Sequence, residues 1–197
     1  MRKRKISDLF KNIAPQIPAH RQKLIKNYCL MDGIIMPNQP KGKLQTLFLS
    51  INNFIQNLRP CPNVNVDILK KQLHNIIQIV GREQRTGAYP IINNASIKSV
   101  IGNDVEWFLE QWFNRAIILF SLKPRDELWW ASLLDLEIIA PSTAFNGIVS
   151  HLMFSTMRVM INRPMLIIPS CSIKDYYNIV GERHKTNIPH FIFKQKL

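Results

Sequence analysis

The side chains that could meet a charged partner fall into four groups along this chain. Arg2, Lys3, Arg4 and Lys5 stand in a row at the start, and Arg82 and Arg85 lie within Gly81-Arg82-Glu83-Gln84-Arg85-Thr86-Gly87. Asn94 and Lys98 fall with Asn93, Ser96 and Ser99 where a short helix should begin. Arg183, His184 and Lys185 precede Lys194 and Lys196 near the far end. Lys and Arg bond phosphate oxygens as cations, and Arg and Asn can also pair with base edges. The first group reads as a flexible arm able to follow phosphates or enter a minor groove. The second is a loop that its glycines allow to bend. The third would open a groove-reading helix, but the span from Gly81 to Asn93 exceeds the ~3–4-residue turn of a helix-turn-helix, and Pro90 interrupts it. The fourth borders an extended stretch that could act as a ribbon. Arg2, Lys3, Arg4, Lys5, Arg82, Arg85, Asn94, Lys98, Arg183 and Lys185 are thus the expected nucleic-acid contacts.

Catalytic and metal chemistry find no comparable grouping. Zinc takes pairs of Cys or His roughly two to five residues apart. His184 and His190 have Pro189 between them and no Cys beside them. Cys29, Cys61 and Cys171 lack a signature context and read as ordinary buried thiols. Glu106, Glu110, Asp135 and Glu137 are expected on the solvent side of amphipathic helices. The spacing of Arg183 and His190 is similar in outline to the Arg…His pair of helical HEPN ribonucleases. However, Pro189 and the alternation His190-Phe191-Ile192-Phe193-Lys194 favour an extended segment, and a small nuclease is the weaker alternative. No glycine-rich phosphate loop or nucleophile elbow is present. The chain therefore reads as non-enzymatic, without cofactor or metal.

Charge is the strongest signal. Lys and Arg number 26 against 13 Asp and Glu, a net charge of +13. The excess is segregated: residues 1–98 hold 16 bases and 4 acids, residues 99–140 hold 3 and 7, and residues 141–197 hold 7 and 2. All four tryptophans, Trp107, Trp112, Trp129 and Trp130, lie in the acidic centre. If folding keeps this separation, one side is electropositive and suited to a polyanion. With 46% hydrophobic residues the chain can bury a core, which excludes a disordered basic tail. Three scattered cysteines argue against a secreted disulfide framework. The basic start lacks the apolar run of a signal peptide, and no stretch reaches the ~18 apolar residues of a membrane span. These features predict a cytoplasmic protein, or a nuclear one in a eukaryotic or viral setting.

Periodicity predicts a mainly α fold, a bundle of about six to seven helices with one or two short strands near the C-terminus. Residues 1–18 read as the basic flexible arm and 19–197 as a single α-rich domain, with a mixed tail over 168–197. The expected helices cover 19–29, 43–58, 69–80, 94–101, 104–122, 124–139, a stretch capped by Ser142, and 172–180. Met165-Leu166-Ile167-Ile168 and 190–194 are the strand candidates. Neighbours on a helix point ~100° apart, so Trp129 and Trp130 do not both fit one narrow core stripe. One of them is expected at the interface of a homodimer. The resulting expectation is a dimeric DNA-binding regulator or accessory factor, with DNA favoured over RNA. A structural or assembly protein, nucleocapsid- or matrix-like or part of a secretion apparatus, is the alternative.

Overall fold

The computed structural model describes residues 9–86, 104–121, 126–169 and 172–182, and its axis is helix α6 (Asn146–Met160). Every residue of α6 except Val159 is buried. Its sequence permits this, because the polar residues are mostly small and Thr156 returns its hydroxyl to the Leu152 carbonyl at 2.8 Å. Helices α1 (Pro18–Met31), α3 (Val66–Ile79) and α5 (Asp126–Ile139) pack directly on α6. Helix α2 (Gly42–Asn57) bridges α1 and α3, and α4 (Val105–Ser121) bridges α3 and α5. Helix α7 (173–182) reaches α5 through Tyr176 and the end of α1 through Tyr177. The architecture is mainly helical, as the periodicity predicts.

Local chemistry sets the helix ends. Asn65 caps α3 by accepting the Ile68 N–H at 2.9 Å. Three helices close with one motif, in which a left-handed residue lets two amides fold back onto orphan carbonyls. After α1, Gly33 and Ile34 donate to Leu30 and Cys29. After α3, Gly81 and Arg82 donate to Gln78 and Ile77. After α6, Asn162 (φ 59°) and Arg163 donate to Val159 and Arg158.

The structure departs from the sequence reading in several places. Residues 9–18, expected in the flexible arm, belong to the fold: Leu9 and Ile13 are buried and the Phe10 ring stacks on Trp130 at 4.2 Å. Strand β1 (Lys11–Ile13) pairs antiparallel with β2 (Met165–Ile167), setting Lys11 opposite Ile167, so one of the two strands lies near the N-terminus. Ser142 does not cap α6. It forms a closed pair with Asn146, and the helix amides turn to Asp32 instead.

Trp129 and Trp130 are 2% and 4% exposed, so neither is left over for a subunit interface. Helix α5 is covered on two sides: Phe120 of α4 meets Trp129, Phe10 meets Trp130, and Phe154 of α6 touches both. Glu137, expected in solvent, is 2% exposed for the same reason. The helix expected over 94–101 and the strand expected over 190–194 lie outside the described residues.

Candidate nucleic-acid interface

The cations of the first described elements lie at the surface. Lys11, Arg21, Lys23, Lys26, Lys41, Lys43 and Arg59, on β1, α1, α2 and their connections, are exposed or half-exposed. Between residues 9 and 64 the sole acid is Asp32, whose carboxylate faces inward onto α6 amides. The exposed acids Asp67 and Glu106 and the half-buried Glu110 stand on α3 and α4, where Lys70 bonds Glu110. Asp135 of α5 lies 3.7 Å from Arg115. Two of these acids are thus paired with cations of their own elements or neighbours.

A cleft of about 600 Å³ on the α1–α2 side gathers three arginines. Arg21, Arg59 and Arg163 line it, and among the described residues no acid does. Its walls are the connection from β1 to α1, the exit of α2 and the exit of α6, and the Cys61 amide bonded to the Met160 carbonyl holds the two exits together. Arg21 donates from Nε to Asn52 Oδ1 (3.1 Å) and from one terminal nitrogen to the Pro15 and Gln16 carbonyls. Arg59 donates from one nitrogen to the Gln56 and Leu58 carbonyls at 2.7 and 2.8 Å. The Arg163 guanidinium has no hydrogen bond among the described residues. Each helix C-terminus carries only about half a negative charge, and the nearby start of α1 carries half a positive one. Three full charges outweigh these, so the cleft is strongly positive.

Of the ten contacts expected from sequence, Arg2, Lys3, Arg4, Lys5, Asn94, Lys98, Arg183 and Lys185 lie outside the described residues. Arg82 is exposed, stacks its guanidinium 4.5 Å over the Phe145 ring, and joins Lys43 on a second cleft between α2 and α3. Arg85 corrects the expectation. It is 4% exposed and donates to the Ile139 and Ala140 carbonyls at 2.8 Å, closing the C-terminus of α5 where Ala140 is left-handed. Arg21, Arg59 and Arg163 are not among the contacts expected from sequence. A signal existed for two of them: Arg59-Pro60 and Arg163-Pro164 are both Arg-Pro pairs just beyond a helix.

Titratable groups also meet in the interior. Tyr176 donates its hydroxyl to Glu137 Oε2, and His151 Nε2 lies 3.8 Å from that oxygen with no hydrogen-bond partner. Burial pushes Glu137 up to about 8 and His151 down to about 3, so both are neutral near pH 7. The His151 ring is packed among Phe10, Tyr28 and Tyr176. Tyr28 bonds Ser155, and burial raises its phenol. These residues join α1, α5, α6 and α7 from inside. Among the described residues no group of three or more His, Cys, Asp or Glu is placed to hold a metal ion. No helix there is long and apolar enough to cross a membrane.

Compared with known proteins, the chain matches no family model and no curated sequence.

Proposed function

We propose that the protein is a non-enzymatic nucleic-acid-binding protein that rests its α1–α2 side on the phosphates of duplex DNA, as a regulator or accessory factor. One observation carries this reading: seven Lys and Arg side chains on β1, α1, α2 and their connections are exposed or half-exposed, two of them meet Arg163 in one cleft, and the only acid over residues 9–64 faces inward. Phosphate contacts supply affinity and register, with little sequence discrimination. A homodimer would match the two-fold symmetry of many DNA sites. With Trp129 and Trp130 enclosed in one chain, Trp107, Ile118 and Leu128 are the exposed apolar side chains of α4 and α5 open to such a contact.

The test is a titration of a short labelled duplex by fluorescence anisotropy across a salt series. Log affinity should fall by roughly 0.9 per neutralised phosphate for each log unit of salt. Reversing Lys23, Lys26 and Lys43 to Glu should weaken every duplex alike and flatten that slope. Binding that ignores salt, or survives the triple reversal, would overturn the proposal.

A further inference from the structure

Resting on that reading, we infer that the arginine cleft receives one unpaired nucleotide, phosphate first. The protein should therefore prefer DNA with an unpaired phosphorylated end over continuous duplex. The cleft's volume of about 600 Å³ lies within the ~300–1,000 Å³ of small-molecule sites and is far more than one phosphate group fills. A continuous duplex keeps its bases stacked, so it can offer phosphates to the mouth of a cleft but nothing to fill it. A nucleotide outside the stack can enter.

The lining suits the two ends of such a ligand. Arg59 keeps one nitrogen on backbone carbonyls, which fixes the fork while its remaining N–H groups are unengaged among the described residues. Arg163 has its backbone set by the turn that ends α6 and its guanidinium unengaged. Two such forks match phosphate oxygens bidentately. Arg21, already bonded to Asn52, Pro15 and Gln16, adds field more than contact. Ile55, Leu58 and Val159 with flanking prolines supply an aliphatic wall for sugar and base. Among the described residues no aromatic lines the cleft, so base identity should matter little and the phosphate should be the anchor. A terminal phosphate carries about −1.5 to −2 charge at pH 7, more than the single charge of a phosphate within a strand.

The experiment compares the full chain on three labelled DNAs: a blunt duplex, the same duplex with a 5′-phosphorylated overhang, and that overhang without its phosphate. The phosphorylated overhang should bind about tenfold tighter than the blunt duplex, as charge-assisted hydrogen bonds imply. Arg59→Ala and Arg163→Ala should each weaken the phosphorylated overhang more than the blunt duplex, so that the about tenfold ratio between them falls toward one. Both side chains are exposed, and circular dichroism would check that the fold persists. Equal binding of blunt and overhanging DNA would overturn the inference and spare the proposed function. A preference that ignores the phosphate, or that persists in both variants, would overturn the assignment to this cleft. Failure to bind any of the three DNAs would overturn the proposed function itself.

Discussion

The carboxylate of Asp32, at the end of α1, accepts the backbone N–H of Ile148 in α6 at 2.6 Å and that of Gly147 at 3.1 Å. The residue before α6, Phe145, is left-handed and supplies no capping side chain. The axial helix therefore takes its cap from another helix. Burial pushes Asp32 up to about 6, while the two amide bonds pull it down.

Removing that cap should loosen the whole bundle. Asp32→Ala should lose about 1–2 kcal/mol of stability in urea denaturation, as helix caps do. Gly147→Ala should be destabilising too, although Ala is the better helix former by ~1 kcal/mol. Its Cβ would meet Asp32 Oδ2 and Met31 Cβ at 3.0 Å and the Met31 carbonyl carbon at 3.1 Å. A stabilised Gly147→Ala protein would mean that α1 and α6 are not so closely apposed.

Stability should peak in acidic solution, at about pH 4. Glu137 is raised to about 8 in the fold, so its contribution is complete below the ordinary carboxyl value of 4.5 and is lost as pH climbs through 8. Asp32, raised to about 6, acts in the same direction between 3.8 and 6. His151 is lowered to about 3, so its contribution is complete above 6.5 and is lost as pH falls through 3. Urea midpoints measured from pH 3 to 9 should rise and then fall, with Glu137→Gln flattening the alkaline side. An unchanged alkaline decline in that variant would remove Glu137 as its source.

Two neighbouring arginines should separate stability from binding. Arg85→Ala leaves the Ile139 and Ala140 carbonyls without their donors and should cost about 1–3 kcal/mol in thermal or urea unfolding. Arg82→Ala, on an exposed side chain over Phe145, should cost little stability and weaken DNA binding. Reversed outcomes would exchange the two assignments.

Trp130→Ala should destabilise the chain by about 3–5 kcal/mol, because the ring is enclosed between Phe10 and Phe154. Sedimentation of this variant, under conditions where it remains folded, should match that of the wild-type chain. A selective loss of self-association would put the ring at a subunit contact.

The helices were legible where a single amphipathic stripe is bounded by local chemistry. Helix α3 has its stripe, its Asn65 cap and its Gly81 stop within one short stretch. The clustering of positive charge was equally readable. What escaped depends on partners distant in sequence. Glu137 sits between Leu136 and Ile138, and nothing nearby announces that His151 and Tyr176 will enclose it. Arg85 looked like a loop cation because the carbonyls that hold it belong to the end of α5. Arg59 and Arg163 gain meaning only when the exits of α2 and α6 meet. Leu9-Phe10 is too short an apolar pair to reveal a strand whose partner follows α6.

The pairing of β1 with β2 also sets an order of events during synthesis. Leu9 to Ile13 leave the ribosome before every helix described here, yet the backbone that Lys11 and Ile13 must meet is made only after all of α6. At ~5–20 residues per second, the start of the chain waits on the order of ten seconds for its partner strand. Trp130 and Phe10 likewise cannot stack until α5 has emerged. Strand β1 therefore joins its partner only after residues 14–164 have been translated.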